Sequence, residues 1–123
     1  METIEGNKII AEFMGLTVNP SDGGKTYAIG GAIEIEGQLF AESWERPQYH
    51  TSWDWIMPVV EKIEATKKYQ VEIELFSCYI IDSSTLLDKM KIVVESHEGS
   101  KIQAVWLAVI EFINWYNQNH PVK

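Results

Sequence analysis

The stretch Ser100–Asn117 limits what this chain can fold into more than any other. Ile102, Val105, Trp106, Val109, Phe112, Ile113 and Tyr116 recur at helical spacing and share one arc, about 120° wide. An extended segment would scatter them over both faces. Ser100 and Gln103 have the spacing of a capping box, Gly99 frees the approach, and Pro121 ends the segment. Burial of large side chains is worth about 1.5–3 kcal/mol each, so this ridge demands a layer to press against.

The rest of the chain supplies that layer. Thr3–Met14 reads as a first helix with Ile9, Ile10, Phe13 and Met14 as its stripe and Gly15 at its end. Asn19–Gly24 is a turn cluster. Short strands follow over Tyr27–Ile29, Ala32–Glu36 and Gln38–Glu42, with Ile33 and Ile35 facing a core, Glu34 and Glu36 facing water, and Gly37 in a tight hairpin. A second helix begins after Ser52. Trp53, Ile56, Met57, Val59, Val60 and Ile63 take its buried side, Trp55 points outward, and Pro58 forces a bend or a later start.

Tyr69–Ile81 is expected as one long strand, Asp82-Ser83-Ser84 as a turn, Leu86–Met90 as a loop or one helical turn, and Lys91–Glu95 as a returning strand. Short links make neighbouring strands antiparallel. The expected fold class is therefore α+β: an antiparallel β-sheet packed by three helices, in the order α-β-β-α-β-β-α, an alpha/beta sandwich.

At 123 residues the chain has room for one domain, residues 1–123, with residues 20–48 as a candidate β-rich insertion. Its one cysteine, Cys78, allows no internal disulfide, which fits a cytoplasmic setting. No run approaches the ~18 apolar residues of a membrane span, and the opening M-E-T-I-E-G-N-K is not a signal peptide, so no membrane role is expected. Ten Lys and Arg against 18 Asp and Glu give a net charge of −8, which opposes direct nucleic-acid binding. The charges are dispersed, so solubility accounts for them more simply than an acidic face shaped for a basic partner.

Three blocks carry a family resemblance: N-K-I-I-A-E-F-M-G (Asn7–Gly15), Y-H-T-S-W-D-W-I-M-P-V-V-E-K-I-E (Tyr49–Glu64) and the segment from Ser100 to Asn117. Together they resemble small uncharacterised proteins of phages and mobile elements in gut bacteria, close to the phage ABA sandwich domain family. The resemblance implies an alpha/beta sandwich with helices on both sheet faces and a mobile-element origin. It implies no activity, and it does not extend to the Gly-rich strands between residues 20 and 48.

Gly23-Gly24-Lys25-Thr26 looks like the end of a phosphate-binding loop, but Asn19 stands where that motif needs its first glycine, and a strand rather than a helix follows. None of the three histidines has metal-ligand spacing; His97 is expected in a turn and His120 in the tail. His50 is crowded by Tyr49, Trp53, Asp54 and Trp55. It closes the helix entrance, or lines a small-ligand pocket with Trp53, Asp54 and Trp55, or, beside Asp54, serves as the acid–base pair of an enzyme. Glu34, Glu36, Glu72 and Glu74 are solvated strand residues or a carboxylate patch. Cys78, in an apolar run, reads as a buried small hydrophobe.

On the last helix, Leu107, Glu111 and Trp115 lie opposite the ridge, with Trp55 in the matching outward position on the second helix. They form a docking surface or lie under the insertion or the tail. The expected function is that of a non-enzymatic accessory protein without cofactor, acting through a homodimer or a host protein. The alternative is a small-ligand binder such as a nucleotide sponge.

Overall fold

The computed structural model describes residues 2–66, 68–82 and 91–119. The expectations for Ser83-Ser84, Leu86–Met90, His120 and Pro121 fall outside them. Among the described residues the fold is α+β, with three helices and antiparallel strands throughout. The strands form two separate sheets, and the chain divides into two compact units, Met1–Gln48 and Tyr49–Lys123.

The first unit holds α1 (Thr3–Phe13), a single 3-10 turn at Pro20–Asp22, and the hairpin strands β1 (Tyr27–Ile35) and β2 (Gln38–Glu45). Helix α1 buries Gly6, Asn7, Ile10 and Ala11, while Ile9, Phe13 and Met14 are half-buried. Its end is closed by two reversed bonds, Leu16 amide to Ala11 carbonyl at 3.0 Å and Gly15 amide to Glu12 carbonyl at 3.1 Å. The buried Asn7 is satisfied in part by donating Nδ2 to the Pro47 carbonyl at 3.2 Å, which ties α1 to the chain leaving β2.

The second unit holds α2 (Trp53–Ala65), β3 (Tyr69–Ile73), β4 (Ser77–Asp82), β5 (Lys91–His97) and α3 (Lys101–Asn119). The segment from Ser100 is helical as its periodicity requires. Ser100 Oγ accepts from the Gln103 amide at 3.3 Å and meets Gln103 Oε1 at 3.2 Å. The buried side is wider than the ridge, because α3 packs against α2, β4 and β5. Ala104, Ala108 and Ile110 are therefore buried with Val105, Val109, Phe112 and Ile113, while Ile102, Trp106 and Tyr116 are half-buried.

The run Tyr69–Ile81 is two strands rather than one. The Glu74 amide donates to the Ser77 carbonyl at 2.8 Å, closing a turn that leaves Leu75 and Phe76 exposed. Folding back pairs Val71 with Ile80 and Ile73 with Cys78, so the apolar residues of both limbs share one face. Val94 and Ser96 join that face from β5, and the Ser96 hydroxyl donates to the Ala104 carbonyl of α3. Pro58 sits inside α2 without ending it; the proline lacks only the donor for the Asp54 carbonyl.

Candidate functional site

The β1–β2 hairpin is built by its backbone. Glu36 and Gly37 both have positive φ (50° and 82°), the conformation that a two-residue hairpin turn needs. Gly30 and Gly31, at φ 83° and 95°, form a bulge between the pairs Ile29–Ser43 and Ala32–Ala41. Beyond the bulge Ile33 pairs with Phe40 and Ile35 with Gln38, which puts these side chains on one face.

That face is uncovered: Ile33 is 63% exposed, Ile35 52% and Phe40 47%. The expectation that Ile33 and Ile35 point into a core is overturned; they are exposed, as Glu34 and Glu36 are. Tyr27 and Ile29 have the same parity as Ile33 and Ile35, but the extra residue of the bulge turns the two pairs to opposite faces. The two strands carry Glu34, Glu36 (in their turn), Glu42 and Glu45 and no Lys or Arg.

A second cluster lies on the outer face of the three-stranded sheet. His97 is the last residue of β5 rather than part of a turn. Its Nδ1 lies 2.8 Å from Ser77 Oγ, its Nε2 lies 2.9 Å from Glu95 Oε1, and its ring stands edge-on to Tyr79 at 5.9 Å. A neutral imidazole protonated at Nε2 donates to Glu95 and accepts the Ser77 hydroxyl, the hydrogen-bond order that polarises a serine. Two nearby backbone donors are committed, the Glu74 amide to the Ser77 carbonyl and the Glu98 amide to the Phe76 carbonyl. Neither is free to stabilise an oxyanion. Twenty residues separate Ser77 from His97, so only the strand pairing makes this cluster visible.

The residues singled out in sequence divide between packing and surface. Trp115 is half-buried, its ring 6.0 Å from Tyr69 and 5.9 Å from Phe112, so it belongs to an aromatic cluster that also takes in Tyr116. Leu107 is half-buried and Glu111 exposed. Partial burial raises the Glu111 carboxyl above its ordinary value, and the Glu98 carboxylate adds to the shift.

The two tryptophans of α2 trade roles. Trp53 is 39% exposed, whereas Trp55 is half-buried and packs edge-on against the buried Tyr49 at 5.2 Å. The chain entering the helix covers Trp55, which helical periodicity cannot show. His50 lies near Trp106 at 6.4 Å, and Asp54 is exposed in the first turn of α2.

The phosphate-loop likeness has a local explanation. The Asp22 carboxylate accepts from the Gly24 amide at 3.2 Å, the Lys25 amide at 2.9 Å and the Thr26 hydroxyl. A side chain thus occupies amides that a phosphate would use. The Thr26 hydroxyl bond leads in lowering the Asp22 carboxyl below its usual range; desolvation opposes it, and the amides add to the lowering. Glu34 and Glu36 lie in one sheet's hairpin, while Glu72 and Glu74 belong to the β3–β4 hairpin of the other. Among the described residues no group of three or more His, Cys, Asp or Glu is arranged to hold a metal ion. Burial pushes the Cys78 thiol up to about 12, so it is an inert core residue.

No family model, curated protein or solved structure matches the chain. No helix among the described residues is long and apolar enough to cross a membrane.

Proposed function

We propose that this chain is a small accessory protein that works by binding another protein, a second copy or a host factor, rather than by catalysis. The observation that carries this reading is the cross-strand pair Ile33–Phe40, continued by Ile35, left in water on a two-stranded hairpin. Such a hairpin is marginal in water alone, and an uncovered apolar sheet face is what a partner removes from solvent. The resemblance to phage and mobile-element proteins supports an accessory role. On α3, the Trp115 ring is spent on Tyr69 and Phe112, which leaves the hairpin tip as the better-supported contact surface.

Placing the photo-crosslinking residue p-benzoylphenylalanine at position 40, in cells that carry the gene natively, tests this. A discrete adduct band is expected from position 40 and not from the exposed Glu61 position. Absence of any adduct at 40, or the same adducts from both positions, would sink the reading.

A further inference from the structure

We infer that the partner seated on the hairpin tip is a basic amphipathic polypeptide segment, one whose apolar side chains are flanked by Lys or Arg. This inference rests on the protein-binding reading above and names the chemistry of its partner. The ladder register fixes what such a segment meets. Ile33, Ile35, Gln38 and Phe40 share the uncovered face, and Glu42 follows on it by strand alternation. Glu36 stands at the turn, and Glu34 lies behind, paired with Leu39. The apolar tip is thus flanked by two carboxylates, Glu36 at its turn and Glu42 at its other end, with no cation in either strand, on a chain whose net charge is −8.

Charge decides between the two candidate partners. A second copy laid face to face would bring its own Glu36 and Glu42 against these, and like charges brought into an apolar contact oppose association. Carboxylates within a Debye length of the contact, about 8–10 Å, attract a segment bearing Lys or Arg and orient it on encounter. The apolar centre then supplies burial while the acidic rim selects the partner's sign. A lipid surface of anionic headgroups is disfavoured by the same rim.

The test uses the full-length chain and three synthetic helical peptides of equal length: Leu and Lys, Leu and Glu, and Ser and Lys. Fluorescence anisotropy reads binding, and light scattering reads solution mass. The Leu–Lys peptide is expected to bind, the Leu–Glu peptide not to bind, and the Ser–Lys peptide to bind at least ten-fold more weakly. Ile33→Ser with Phe40→Ser, and separately Glu36→Gln with Glu42→Gln, each weaken Leu–Lys binding by ten-fold or more. Glu5→Gln with Glu61→Gln, a charge-matched control at exposed sites outside the hairpin, changes it less than two-fold. All three double variants keep the circular dichroism spectrum of the parent, because the altered side chains are exposed.

Equal losses from the control and the rim variants would overturn the inference, as would indifference to Ile33→Ser with Phe40→Ser. A dimer that Ile33→Ser with Phe40→Ser dissolves would overturn the basic partner while leaving the protein-binding surface standing. Failure of both peptide binding and photo-crosslinking at position 40 would remove the surface itself.

Discussion

Tyr69 is 4% exposed and sits 4.9 Å from the Phe112 ring, yet its hydroxyl has no hydrogen-bond partner among the described residues. A buried hydroxyl without a partner is a net cost, so removing it relieves the core. Tyr69→Phe is expected to leave stability equal or to raise it by up to about 1 kcal/mol in urea denaturation. Tyr69→Ala, which removes the ring from its cluster with Phe112, Trp115 and Tyr116, is expected to cost about 3–5 kcal/mol. Glu111 offers a test of sign. A carboxyl held above its unfolded value disfavours the folded state once ionised, so stability falls as pH rises through the ordinary value of 4.5 toward the raised one. Glu111→Gln is therefore expected to stabilise the protein at pH 7 by about 0.3 kcal/mol, the screened magnitude for an exposed group. The gain should vanish well below pH 4.5, where both forms are neutral, as chemical denaturation at the two pH values would show.

Elements differ in how openly the sequence declares them. Helix α3 is legible because a capping pair and a long 3.6-residue period agree. The Tyr69–Ile81 segment is not: Val71, Ile73 and Leu75 alternate as one strand would, and the apolar run from Phe76 reads as a more deeply covered end of that strand. The parity change between Leu75 and Phe76 instead marks the fold-back that the Glu74–Ser77 bond closes. The candidate site fails in sequence for a related reason. Parity assigns Tyr27, Ile29, Ile33 and Ile35 to one face, and the bulge at Gly30–Gly31 breaks that parity. The Pro20–Asp22 turn carries the prediction at this scale. Asp22 is held below its usual value, so its contribution is present above about 3.8 and lost as pH falls through the lowered value. Asp22→Asn is expected to speed amide hydrogen exchange at Gly24 and Lys25 at neutral pH, and the difference from the parent should close in acid.

Across the molecule, the class of fold follows from the alternation of amphipathic helices with short β regions, whereas the division after Gln48 does not. No Gly- or Ser-rich linker marks it, and a single proline stands there; Arg46-Pro47-Gln48 runs straight into the buried Tyr49. The second unit has the components of a self-sufficient core: a three-stranded sheet, two helices packed on it, and Ile56, Ile63, Ile80, Val109 and Phe112 at 2% exposure or less. A fragment of residues 49–123 is therefore expected to unfold cooperatively in urea and to keep its helical circular dichroism signal; a broad, non-cooperative transition would contradict this.

The two adjacent glycines in β1 have a consequence for how such a protein changes over time. Open space surrounds both of them, and the pair Ile29–Ser43 closes the ladder beneath. Everything from Ala32 to Ala41 is thus a head mounted on a stem by a joint that makes no demands on its neighbours. A different head of the same parity can be exchanged at that joint without re-pairing the stem, so the tip can be replaced while the register beneath it stays unaltered.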